Sequence, residues 1–345
     1  MGGGYWDVDT HVSRAVSKAA AGRSTFDYSD SIRAGKTAAD VNSLLDPKAV
    51  AGSTSPFAGK VMREVTISDE HPNPTAIAIM LDVTGSNYEA AVTVHSKLPQ
   101  LFGLLQRKGY VEDPQINVCA IGDANSDRVP LQVGQFESDN RIDEQIEAIY
   151  LEGNGGGQRS ETYELGAYFL GRHTYLEPWH KQGRKGYAIF IGDEMPYKVI
   201  KNDYGRYSGH TLESLVGDKL ESDLSTEQIF AEMKEQYEVF FLFQAQGMYK
   251  ESEILPAWRA LLGERALVLD DPSAVTEFIA GLLGMMEGGL SVDEAESDLL
   301  AIGASPSAVK AASKALAIVG GGNSSAVLTA GDLPDDDNQS GTSRI

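Results

Sequence analysis

The stretch that most restricts the fold is Ala76–Ala90, AIAIMLDVTGSNYEA. Ala76 to Leu81 form an unbroken apolar run that meets Asp82, Thr84, Gly85 and Ser86, and an amphipathic pattern begins just beyond. A run bounded in this way reads as a strand buried on both faces, leading through a tight loop into a helix. Such a strand needs a covering layer on each side, so an α/β fold is expected. Asp82, Thr84 and Ser86 then stand at the carboxyl end of a central strand, where open α/β sheets place their ligands.

The pattern Asp-x-Thr-x-Ser supplies one carboxylate and two hydroxyls from a single short loop. All-oxygen donors suit a hard cation such as Mg²⁺, which takes one or two carboxylates and keeps part of its water shell. Taken alone, the same residues also fit a polar helix-start loop with Ser86 as N-cap. Spacing excludes three other chemistries. Val83 separates Asp82 from Thr84, which breaks the Asp-Thr-Gly of aspartic peptidases, and no second copy occurs. Haloacid-dehalogenase phosphatases need a second Asp where Thr84 stands. A phosphate loop needs Gly-x4-Gly-Lys-Ser/Thr, whereas the segment from Gly52 to Lys60 has a different gap and is followed by Val61.

With 345 residues the chain is long enough for one large α/β domain with extensions. No apolar run approaches the roughly 18 residues of a membrane span, and MGGGYWDVDTH lacks the basic-then-apolar pattern of a signal segment. A cytoplasmic protein is expected, with no membrane association. Fifty acidic against 29 basic residues give a net charge of −21. That balance argues against nucleic acid as a partner, because neutralising phosphates needs a basic surface. It fits cation binding or a basic partner, and equally plain solubility. The single cysteine, Cys119, lies in the apolar run INVCAI, so a disulfide framework and a cysteine-based zinc site are both ruled out.

Residues 1–71 read as an N-terminal extension, with helical character in Val12–Ala20, an aromatic-polar stretch Thr25–Ser31, a weakly helical piece Ala38–Leu45 and an edge strand Met62–Ile67. The main domain spans 72–287. Tyr88–Lys108 is a helix kinked at Pro99, Ile116–Ile121 a buried strand, Val129–Phe136 an edge strand and Ile142–Tyr150 a helix. Glycines 155–157 cannot propagate a helix and either give the backbone freedom for close approach or form only a flexible loop, and Ser160, Glu161 and Thr162 open a helix running to about Gly171. Tyr187–Ile191 is another buried strand, ending in Gly192, Asp193 and Glu194. Residues 195–225 form a long connection, either a partner-binding loop or a variable one. Helix Thr226–Gln236 with a Ser225/Gln228 capping box, strand Glu238–Gln244, helix Ser252–Leu262, strand Ala266–Leu269 and a helix opened by Pro272 complete the alternation. Residues 288–319 read as a helical hairpin, and 320–345 as a disordered acidic tail.

The sequence resembles the von Willebrand factor A (VWA) domain family, intracellular bacterial type, whose metal-ion-dependent adhesion site begins with Asp-x-Ser/Thr-x-Ser at this strand end. The resemblance covers roughly 72–287 and implies a Rossmann-like, doubly wound, mostly parallel sheet flanked by helices. It makes Thr84 and Ser86 direct ligands of Mg²⁺ or Mn²⁺, with Asp82 and Asp193 binding directly or through water. It assigns the second loop's contribution to Thr162, with Ser160 as the fallback. An open coordination position would accept an acidic group from a protein partner, and an AAA+ ATPase of the MoxR type is the partner the resemblance suggests. The implied function is a non-catalytic, cation-dependent protein-binding module. Asn87, Glu161 and Glu194 depart from the family pattern, the last two by adding negative charge. The alternatives are a metal-dependent hydrolase or phosphotransferase, with Glu161 or Glu194 as base and Arg159 as phosphate clamp, and a scaffold with a purely structural metal.

Overall fold

Six strands form the central sheet: β1 (Thr75–Asp82), β2 (Pro114–Ile121), β3 (Leu131–Val133), β4 (Gly186–Gly192), β5 (Tyr237–Gln244) and β6 (Ala266–Leu269). Their spatial order is β6-β5-β4-β1-β2-β3. Neighbours run parallel except β2 with β3, so the sheet is mostly parallel with one antiparallel edge. β1 is buried at every position, in keeping with its apolar run. From β1 the chain moves outward to β3, then restarts at β4 on the other side and moves outward to β6. The order reverses between β1 and β4, the place where sheets of this kind open a ligand crevice.

This computed structural model describes residues 4–24, 26–35, 41–153, 159–205 and 207–321. Glycines 155–157 and the acidic tail from 322 onward lie outside the described residues. The longer helices are α1 (Val8–Ala20), α2 (Asp27–Arg33), α3 (Tyr88–Lys97), α4 (Pro99–Lys108), α5 (Arg141–Ala148), α6 (Tyr163–Arg172), α7 (Thr226–Gln236), α8 (Glu251–Leu262), α9 (Val275–Gly288), α10 (Val292–Ala301) and α11 (Pro306–Gly321). Pro99 divides the long helix expected over Tyr88–Lys108 into α3 and α4, meeting at Leu98. The capping boxes at Ser225/Gln228 and Ser291/Glu294 both form.

Period-two alternation in the strands divides the core into two layers. Ile77, Ile79 and Leu81 of β1 pack with Val94, Leu101 and Phe102 of α3 and α4 and with Phe278 and Leu282 of α9. Ala78 and Met80 face the opposite side, with Leu165 and Phe169 of α6, Phe230 of α7 and Trp258 of α8. Leu299 of α10 and Leu316 of α11 join the first layer, so the C-terminal helices share the core of the sheet. Among the described residues no helix is long and apolar enough to cross a membrane.

The N-terminal region departs most from expectation. The helix expected over Ala38–Leu45 is absent from its described part, where residues 41–45 form turns. Side chains compete for the backbone there: Asn42 Oδ1 accepts from the Leu44 N–H at 3.0 Å and Asp46 Oδ1 from the Lys48 N–H at 2.9 Å. The helix forms instead as α2, within the aromatic-polar stretch, where Ile32 and Tyr28 pack on Val129 and Tyr150. The edge strand expected at Met62–Ile67 is shortened to Arg63–Val65 and pairs with Thr174–Leu176 outside the main sheet. Arg63 is fully buried and donates to the carbonyls of Asp46, Ala49 and Gly134, which binds this segment to the rim beside β3. Ser160 and Glu161 do not open a helix but form a two-residue strand beside Met195–Pro196, and α6 starts at Tyr163. The 195–225 connection contains the paired segments Val199–Ile200 and Leu224–Ser225 and a helical turn Leu212–Val216.

Candidate metal centre

β1 and β4 lie side by side with Leu81 opposite Ile191, so Asp82 and Asp193 emerge from neighbouring strand ends at the reversal point. Asp82, Asp193 and Glu194 are all buried, and each offers a carboxylate oxygen within 4.8 Å of the others. Asp82 Oδ1 accepts from the Thr84 N–H at 2.9 Å and from Thr84 Oγ1 at 2.7 Å. Ser86 Oγ donates to Asp193 Oδ1 at 2.9 Å, and the Met248 N–H donates to Asp193 Oδ2 at 2.8 Å. The two hydroxyl oxygens are 3.4 Å apart. Each hydroxyl spends its single proton on a carboxylate and keeps lone pairs for a cation.

Close backbone approach makes this convergence possible. A Cβ on Gly192 would press on the Tyr163 hydroxyl and lie 2.8 Å from Asp82 Cβ. One on Gly247 would lie 2.5 Å from Asp193 Cβ. Both positions therefore require glycine for the loops to meet. An aromatic group sets the remaining orientation. Trp258 stacks on Phe241 at 3.9 Å and meets Tyr163 edge-on at 5.1 Å, while its Nε1–H donates to the Glu194 carbonyl at 2.8 Å. Tyr163, held in that group, donates its hydroxyl to Asp82 Oδ2 at 2.5 Å.

Removal from water dominates the electrostatics. Burial, opposed by the hydrogen bonds from Tyr163 and Thr84, raises Asp82 above the usual carboxylate range. Burial and the neighbouring Asp82 charge push Asp193 up to about 7, and burial pushes Glu194 up to about 9. Glu161, also buried, lies against Glu194 and is raised well above its ordinary value by burial and by that contact. A divalent ion reverses this penalty by supplying the charge the carboxylates lack. The donor set, carboxylates with two hydroxyls and no nitrogen or sulfur, fits a hard cation.

The structure thus brings together four of the five residues named from sequence: Asp82, Thr84, Ser86 and Asp193. Thr162 is buried at the start of α6, but its hydroxyl donates to the Gly122 carbonyl and accepts from the Ala124 N–H at 3.2 Å. Ser160 is buried in the short strand beside Met195. Glu194 belongs to the cluster as a carboxylate in its own right, a role its place beside Asp193 already hinted at. Tyr163 has no signal in the sequence, because its role depends on the aromatic group around it. Arg159 pairs with Glu253 at 3.0 Å. His95 is a buried helical residue with Nε2 2.6 Å from the Ile146 carbonyl, and Cys119 is buried in β2.

No protein-family model and no curated protein matches the chain. Among solved structures it is similar to the open conformation of the pilus adhesin SpaC from Lactobacillus rhamnosus GG, at 12% identity and a TM-score of 0.43. That alignment covers 62% of this chain and 30% of the adhesin. A second structure of the same adhesin aligns at 13% identity and a TM-score of 0.39, over 62% of this chain and 31% of that one. The chain therefore spans about a third of the adhesin's length.

Proposed function

We propose that this chain is a VWA-type domain that binds Mg²⁺ or Mn²⁺ at the ends of β1 and β4 and uses the ion to capture a protein partner without catalysing a reaction. The observation that carries this reading is the convergence of Asp82, Asp193 and Glu194 within 4.8 Å, beside the Thr84 and Ser86 hydroxyls. On this reading Asp82, Asp193, Thr84 and Ser86 hold the ion, and Thr162 supports the second loop through the Gly122 carbonyl. The partner supplies an oxygen donor, and an AAA+ ATPase of the MoxR type in the cytoplasm is the partner class the resemblance suggests. Met248 supports a docking role: its backbone holds Asp193, while its side chain is 72% exposed beside the centre. The hydrolase alternative has less support, because Arg159, its phosphate clamp, is engaged with Glu253.

Calorimetric titration of Mg²⁺ and Mn²⁺ into metal-stripped protein, beside Asp82→Ala and Asp193→Ala, tests the reading. Saturable binding in the wild type and its loss in both variants is the expected result. Partner capture that needs the ion should then disappear in chelator. Absence of binding to the wild type would refute the proposal.

A further inference from the structure

The proposed single ion leaves part of the centre unexplained. Glu161 and Glu194 are each 2% exposed, and their carboxyl groups lie within hydrogen-bonding range of one another. Glu161 Oε2 and Glu194 Oε2 have no hydrogen-bond donor among the described residues. Asp82 and Asp193, by contrast, have a donor on every carboxylate oxygen. Two facing carboxylates that each keep a buried oxygen without a donor are a costly burial unless a proton or a cation lies between them. Glu194 also reaches the oxygens of Asp82 and Asp193, so the facing pair is continuous with the centre already described.

We propose that Glu161 and Glu194 hold a second divalent cation beside the first, with Glu194 shared between the two. This rests on the reading of the β1/β4 centre as a cation site and extends it to a two-ion centre. Charge supports it independently. Once cations displace their protons, Asp82, Asp193, Glu161 and Glu194 exceed one divalent ion by two negative charges, and such a centre repels a partner's carboxylate. Two divalent ions balance the four carboxylates, and an open position on either can then accept an acidic side chain. The second ion thereby specifies the ligand as an acidic group of the partner protein.

Native mass spectrometry of the full chain with Mn²⁺ counts the ions directly, and electron paramagnetic resonance of the same samples reports whether they are close enough to couple. Two Mn²⁺ per wild-type chain with an exchange-coupled spectrum, falling to one uncoupled Mn²⁺ in Glu161→Gln, is the expected result. Glu194→Gln gives a second route to the same readout should Glu161→Gln fail to fold. One uncoupled ion in the wild type would overturn the two-ion centre while leaving the proposed cation site standing, whereas no bound ion would overturn both. Two ions retained in a folded Glu161→Gln protein would also overturn the assignment.

Discussion

Two groups of buried acidic residues lie at the carboxyl ends of neighbouring strands, and they differ in where their hydrogen bonds come from. In the loop after β2, Asp123 Oδ1 accepts from the Asn125 N–H at 2.9 Å and from Asn125 Nδ2 at 2.7 Å. Asp123 Oδ2 lies 3.1 Å from the Ser126 and Tyr197 hydroxyls. Asp127 Oδ2 accepts from the Asp123 N–H at 2.8 Å. Apart from Tyr197, these donors lie within four residues, so the loop satisfies its own carboxylates. In the β1/β4 centre the Tyr163 and Ser86 donors come from 81 and 107 residues away, and Glu161 and Glu194 each keep an oxygen without a donor. Acidic density is similar in the two places. The deficit of donors, which a cation can fill, distinguishes the second.

The largest effect that sharpens this contrast is loss of a ligand. Asp82→Ala and Asp193→Ala should each lower Mg²⁺ affinity beyond the roughly 10–100-fold typical of changes around a metal site's outer residues, read by calorimetry.

Next in size is the pH dependence of the metal-free protein. Asp193 rises from an ordinary 3.8 to about 7, and Glu194 from 4.5 to about 9. A carboxyl that holds its proton more tightly when folded stabilises the fold fully below its unfolded pKa, and that contribution is lost as pH rises through the folded value. In chelator, the Tm should therefore fall between about pH 5 and pH 9. Saturating Mg²⁺ should raise the Tm at the upper end of that range, because an ion at a hundred times its Kd contributes about 2.7 kcal/mol. A flat profile in chelator would contradict the burial argument.

Tyr163→Phe keeps the aromatic packing on Trp258 and removes only the donor to Asp82. An affinity loss of about tenfold is expected, at the lower end of outer-residue effects, with a stability cost of about 1–3 kcal/mol in the metal-free protein because buried Asp82 Oδ2 loses its donor.

The smallest expected effect on metal binding comes from the other loop. Asp123→Ala should cost about 1–3 kcal/mol of stability through lost buried hydrogen bonds and leave Mg²⁺ affinity unchanged. A large fall in affinity with the fold intact would erase the distinction between the two acidic groups.

Much of this architecture is legible from local pattern. The strands from Ala76, Ile116 and Tyr187 are continuous apolar runs, and burial on both faces is what such runs require. Asp82 and Asp193 are readable because Asp82 directly ends such a run and Asp193 follows one after a single glycine. The N-terminal region carries weaker local pattern. Asn42 and Asp46 carry side chains that bond their own backbone, and a weak helical pattern gives way to turns. The role of Arg63 depends on three carbonyls from separate segments, which no local window contains. Tyr163 and Trp258 carry no local signal for the same reason: they orient the centre through contacts with distant aromatic residues. Thr162 stands at the expected turn, but whether its hydroxyl meets a cation or the Gly122 carbonyl is set by the neighbouring loop.

The most direct test of the central claim is anomalous X-ray scattering from crystals grown with Mn²⁺. A strong anomalous peak in contact with the Asp82 and Asp193 carboxylates and the Thr84 and Ser86 hydroxyls is the predicted result. No peak there, or a peak only at the Asp123–Asp127 loop, would contradict it.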